Sequence, residues 1–163
     1  MSGVPYRPWS FETKVHEGAE ATVSRGEWLG KPAMLKLRKP KGYRDPDLDN
    51  RLTKSRMAVE ARALSRLQKR NFPSPSLFYV DHQDSLIIIS EIEGLPLFEV
   101  MANGNLGEDA LSRVGGIIRR LHENGVSHGD LTTHNIMIDP SGEIFLIDFG
   151  LAKISPELEN LGQ

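Results

Sequence analysis

The 163-residue chain contains no cysteine. That one absence excludes disulfides, thiolate nucleophiles and cysteine-based zinc sites together. No apolar run approaches the roughly 20 residues that cross a bilayer, so no membrane association is expected. The opening segment, MSGVPYRPWS, has no apolar stretch of the secretory-signal kind, and a cytoplasmic protein is the expectation. Internal repeats and low-complexity tracts are also absent. Hydrophobic residues make up 39% and charged residues 26%, a globular rather than a disordered balance.

The net charge of −2 conceals an asymmetry: residues 31–70 hold 13 Lys/Arg against 4 Asp/Glu, the remainder 7 against 18. A basic third of the chain suits either a phosphate-bearing partner or an ordinary solvated helix face.

Alternating apolar and polar residues predict strands at 11–16, 21–29 and 33–38, with a turn at Gly30-Lys31-Pro32. Residues 39–50, rich in Pro, Gly and charge, read as a loop, and 52–70 as a helix. Met57, Leu64 and Leu67 share one face of that helix, and Glu60 falls inside the same stripe. Further strands are expected at 77–80 and Leu86–Ser90. Glu93-Gly94 reads as a linker, and a second helix at 106–124 has a stripe of Leu111, Val114, Ile118 and Leu121. Asn105 with Glu108 is expected to cap its start and Gly125 to end it. Runs at Ile136–Ile138 and 144–147, separated by Asp139-Pro140-Ser141-Gly142, form a hairpin pattern. The expected fold class is α+β with two lobes, a sheet with one helix over 1–91 and a helical lobe with a small hairpin over 92–163.

The chemistry concentrates around that hairpin. Asn135 stands at its entry and Asp148 at its exit, so their oxygens meet at one end, an arrangement suited to Mg²⁺. Asp130, five residues before Asn135, is available to accept a hydroxyl proton or orient an attacking group. In the first lobe, a glutamate inside an apolar stripe requires a cation.

The segment His128-Gly129-Asp130-Leu131-Thr132-Thr133-His134-Asn135, followed by Asp148-Phe149-Gly150, resembles the protein-kinase catalytic loop and its metal-binding triplet. The resemblance implies ATP and Mg²⁺ as cofactors. It makes Lys36 the lysine on the α/β-phosphates and Glu60 its ion-pair partner. Gly18, Ala19 and Glu20 occupy the place of the glycine-rich phosphate loop, although only one glycine is present; Glu20 suits a metal or the Lys36–Glu60 pair better than an anion. The backbone of Ser90 and Ile92 falls where kinases pair with adenine, with Ile89 as gatekeeper. Gly129 and Thr132 depart from the usual arginine and lysine, as in atypical kinases and small-molecule phosphotransferases.

Residues 36–49, with Arg56 and Glu60, narrow the likeness. The chain is similar to the small atypical kinase of the KEOPS complex (the PRPK type), from about Lys14 to Ala152. That resemblance implies a Ser/Thr kinase or ATPase supporting the threonylcarbamoyl-adenosine modification of tRNA. The implied partners are the KEOPS catalytic subunit and the other KEOPS subunits, with tRNA met indirectly or through the basic 31–70 region. The family continues beyond Ala152 into a helix and a basic tail, so the fold is expected to be a minimal, C-terminally truncated kinase-like form. Two other readings stand beside it: a RIO-like or small-molecule phosphotransferase, against which the 43–49 segment argues, and a nucleotide-binding scaffold without catalysis.

Overall fold

The computed structural model describes residues 8–17, 21–38 and 46–156. Gly18, Ala19 and Glu20, the 39–45 part of the expected loop and the last residues from 157 on lie outside them. The chain divides into two compact units: Met1–Ala61 with Ser76–Glu91, and Arg62–Pro75 with Ile92–Gln163.

The first unit is a five-stranded antiparallel sheet. Its strands are β1 (Trp9–Glu17), β2 (Ala21–Trp28), β3 (Lys31–Arg38), β4 (Leu77–Asp81) and β5 (Leu86–Ser90), in the order β1-β2-β3-β5-β4. Leu86, Ile87, Ile88 and Ile89 are all buried, so β5 reads as an unbroken apolar run rather than an alternating one. In β3 the period of two sorts the side chains. Ala33 and Leu35 join Trp9, Leu86 and Ile88 in the core, with Trp28, Leu37, Phe78 and Tyr79 packed against it. Met34, Lys36 and Arg38 are left to the opposite face. The register agrees, since Leu35 stands across from Ile88 and Lys36 across from Ile87.

Helix α1 (Pro46–Lys69) starts six residues earlier than the composition of 39–50 suggests. Proline has its φ preset for a helix and its missing N–H is no loss in the first turn, so Pro46 begins the helix instead of preventing it.

The second unit carries β6 (Leu95–Pro96), α2 (Leu97–Ala102), α3 (Ala110–Glu123), β7 (Val126–Ser127), β8 (Ile136–Ile138), β9 (Ile144–Leu146) and β10 (Lys153–Ile154). They build a three-stranded sheet, β6-β8-β9, and a β7-β10 pair. The very short β6, β7 and β10 have no period for a sequence to display.

Residues 62–75, assigned by sequence to the first lobe, group with this unit because their contacts lie here. The Leu146 N–H donates to the Pro73 carbonyl at 3.1 Å and Arg66 to the Asn124 carbonyl at 3.5 Å. Arg120 lies over the Phe72 ring at 5.5 Å.

Helix α3 corrects two expectations. It begins at Ala110, and the Asn105 N–H instead bonds the Val100 carbonyl at the end of α2, while Asp109 at the N-cap makes no side-chain cap bond. Its buried residues are Ala110, Val114 and Leu121, whereas Leu111 is 58% exposed. Leu111 lies roughly 100° around the helix from Ala110, beyond the edge of the buried stripe. Gly125, at φ +77, ends the helix as expected.

Ile88 has no exposed surface and sits at the centre of the first unit's core. Ile88→Ala is expected to lower stability by about 2–5 kcal/mol, measured by urea unfolding.

Candidate functional site

In the first unit, Glu60 of α1 meets the polar face of β3. Lys36 Nζ donates to Glu60 Oε2 at 2.7 Å. Arg38 Nη2 donates to Glu60 Oε1 at 3.1 Å. Glu60 and Lys36 are buried and Arg38 is largely covered, their side chains 1%, 11% and 9% exposed. The Lys36–Glu60 pair read from the sequence is therefore present. Arg38 was missed, yet its signal was available: it stands two residues after Lys36 on a strand and so shares its face.

Ser90 closes β5 and its N–H donates to the Ser76 carbonyl at 2.9 Å, while its hydroxyl accepts from the Ser76 N–H at 2.8 Å. Next to it, the Glu91 N–H donates to the Pro32 carbonyl at 3.2 Å and its carboxylate pairs with Arg25 at 2.8 Å. Ile92 is the first residue of the second unit's second segment, half-buried in irregular backbone.

In the second unit, Asp130, Asn135 and Ile147, the residue before Asp148, are brought into one hydrogen-bonded frame. The Asn135 side-chain amide donates to the Asp130 carbonyl at 2.9 Å. The Asn135 N–H donates to the Thr132 carbonyl at 2.9 Å, and its own carbonyl accepts from the Ile147 N–H at 3.0 Å.

His128, 3% exposed, completes the frame. Its Nδ1 accepts from the Asp130 N–H at 3.2 Å. Its Nε2 is left to donate to the Ile147 carbonyl at 2.7 Å. These two partners set the tautomer, and one ring thereby ties the backbone of Asp130 to the residue before Asp148. Phe149 is wholly buried and its ring lies 4.9 Å from that of His128. The carboxylates of Asp130 and Asp148 are exposed, on a scaffold that is not. Asp148 has φ +63, a left-handed conformation that few residues other than glycine adopt. Held backbone of this kind is concentrated at functional sites.

Position 129 has a steric explanation. Gly129 has φ +86, and a Cβ there would lie 2.0 Å from the Leu151 carbonyl oxygen. Arginine, the residue of most protein kinases at this point, has no room.

The hairpin that separates Asn135 from Asp148 is held by its turn. Asp139 Oδ1 accepts from the Ser141 hydroxyl at 2.6 Å and from the N–H groups of Ser141 and Glu143 at 2.9 and 2.8 Å. The Ser141 hydroxyl, then these N–H groups, hold the Asp139 carboxyl below its ordinary value.

The model of the lipopolysaccharide kinase (Kdo/WaaP) family matches residues 18–155. A probable bifunctional tRNA threonylcarbamoyladenosine biosynthesis protein of Methanothermobacter thermautotrophicus is 40% identical over 164 residues, 95% of this chain and 30% of that protein. The EKC/KEOPS complex subunit BUD32 of Chaetomium globosum is 34% identical, over 86% of this chain and 67% of that protein. The mouse EKC/KEOPS complex subunit Tp53rkb is 36% identical, over 91% and 65%. The chain thus spans less than a third of the bifunctional relatives it matches. Among solved structures, the Rio2 kinase of Chaetomium thermophilum, in an ADP/Mg²⁺-phosphoaspartate complex, superposes with a TM-score of 0.75 at 21% identity, covering 96% of this chain and 52% of that one. The fold is kinase-like.

Gly129→Ala is expected to destabilise the chain by at least about 1–3 kcal/mol, from backbone strain plus the contact with Leu151; thermal unfolding measures it. An unchanged midpoint would contradict the steric reading.

Proposed function

The chain belongs to the lipopolysaccharide kinase (Kdo/WaaP) family and to the KEOPS-subunit family of BUD32, and we propose that it is an Mg-ATP-dependent Ser/Thr kinase or ATPase that supports threonylcarbamoyl-adenosine modification of tRNA. The observation that carries this reading is the frame in which His128 and Asn135 hold the backbone of Asp130 and of the residue before Asp148. The KEOPS relatives and the Rio2 likeness support it.

Each residue has a role that its chemistry suits. Asn135 spends its amide nitrogen on Asp130, which leaves its side-chain oxygen for a cation. With the exposed Asp148 carboxylate it would hold Mg²⁺, an ion that takes one or two protein oxygens alongside phosphate oxygens and water. Among the described residues no group of three or more His, Cys, Asp or Glu forms a cage, which agrees with an ion held partly by its substrate. Bound there, Mg²⁺ supplies charge neutralisation on the phosphates. Lys36 would contact the α/β-phosphates and Glu60 would orient it. Asp130 would accept the proton of a hydroxyl, or orient water, at its exposed carboxylate. Gly18, Ala19 and Glu20 would cover the phosphates, and the Ser90 carbonyl and Ile92 N–H would meet adenine.

The proposed partners are the KEOPS catalytic subunit and its companions, with tRNA reached through them or through the basic 31–70 region. Among the described residues no helix is long and apolar enough to cross a membrane, and we place the protein in the cytoplasm. The lipopolysaccharide-kinase description of the matching family favours a second reading, phosphoryl transfer to a small-molecule hydroxyl.

Mg²⁺-dependent ATP turnover, alone and with the KEOPS catalytic subunit, tests the proposal. Asp130→Asn is expected to lower kcat by about 10²–10⁴-fold with nucleotide binding kept. Asp148→Ala is expected to remove turnover and the Mg²⁺-dependence of ATP binding. Full turnover in either variant would defeat the assignment, and transfer to a sugar without stimulation by the partner would favour the second reading.

A further inference from the structure

The Glu60 carboxylate is shared by two cations, one on each oxygen. The reading above needs only one of them: Lys36 contacts phosphate and Glu60 orients it. It leaves Arg38 without a task. Its side chain is nevertheless largely covered, at a desolvation cost for a guanidinium. Its Nε is buried with no acceptor, and among the described residues its side chain hydrogen-bonds Glu60 alone. Its main-chain N–H is fixed to the Ser85 carbonyl at 3.0 Å, which anchors the end of β3. The guanidinium is therefore aimed at one carboxylate rather than spread over a polar network.

A Lys36 that alone neutralised the buried carboxylate would be drawn between it and a phosphate. Any loosening of that pair would leave Glu60 uncompensated where isolated charge is least tolerated. A second cation on the other oxygen relieves this conflict. Because Lys36 takes Oε2 and Arg38 takes Oε1, the two do not compete for one site, and their common face follows from the period of β3.

We infer that Arg38 is a positioning residue for nucleotide binding: it keeps Glu60 neutralised and in place, so that Lys36 can turn its ammonium towards phosphate. The inference rests on the preceding reading, in which Lys36 is the phosphate ligand. It has a signature that a purely structural role lacks. Loss of Arg38 should weaken binding of ligands that carry phosphates and spare those that do not.

The test is calorimetric titration of the full chain with Mg-ATP and with adenosine, for wild type, Arg38→Met, Arg38→Lys and Lys36→Met. Arg38→Met is expected to weaken ATP binding on the order of tenfold while adenosine binding changes by less than about twofold. Arg38→Lys, which retains the charge, should recover most of the loss. In a Glu60→Gln background the selective effect of Arg38→Met should disappear, because no buried charge then remains to be held. Equal losses for ATP and adenosine would overturn the inference and leave Arg38 a structural residue. If Arg38→Met does not fold, Arg38→Gln replaces it, with the same selective loss expected and an unchanged ATP-to-adenosine ratio counting against. Lys36→Met with undiminished ATP affinity would remove the parent reading and this inference with it. A normal Lys36 loss with non-selective Arg38 losses would remove this inference alone.

Discussion

The buried carboxylate of Glu60 is the strictest constraint in the molecule. A charge with almost no solvent contact persists only where cations and hydrogen bonds replace the water it has lost. Lys36 and Arg38 supply both. They can do so because β3 alternates, with Ala33 and Leu35 in the apolar core and the two cations on the other face. The position of α1 on the first unit's sheet and the register of β3 are thus bound to one electrostatic requirement. A one-residue slip of β3 would send the cations into the core and leave Glu60 alone.

The second unit solves a different problem. It must present exposed carboxylates without letting them wander. The solution is a buried imidazole whose two nitrogens bond two backbone segments, and an asparagine that bonds the Asp130 carbonyl through its side chain and the Ile147 N–H through its carbonyl. Phe149, wholly buried beside Asp148, and Gly129, pressed against the Leu151 carbonyl, fix the same segments sterically. Exposed carboxylates are carried on backbone that buried side chains hold. This division is a common way of reaching preorganised geometry.

Much of this was legible in the residues. The β5 run, the helix stop at Gly125 and the hairpin followed from period and turn chemistry, the need of Glu60 for a cation from the cost of a buried charge, and the choice of Lys36 from the kinase resemblance. What escaped was the part with no local signal. The two-residue strands β6, β7 and β10 are too short for periodicity and exist only through their partners. Pro46 reads as a breaker unless its position at the first helical turn is known. Leu111 looks like a core residue because it stands three before Val114, but packing centres the buried stripe on Ala110, Val114 and Leu121 and leaves Leu111 at its edge.

The sequence by itself determined which candidate groups are present and in what order. The order and spacing of His128, Asp130, Asn135 and Asp148, and a glutamate stranded in an apolar stripe, are properties of the chain that no folding could add. The tertiary structure alone decided how those groups are held. It made Arg38 the second cation on Glu60, gave His128 its tautomer and placed a carbonyl against Gly129. Each of these depends on contact between residues far apart in the chain, and local composition carries no record of which distant atom will arrive.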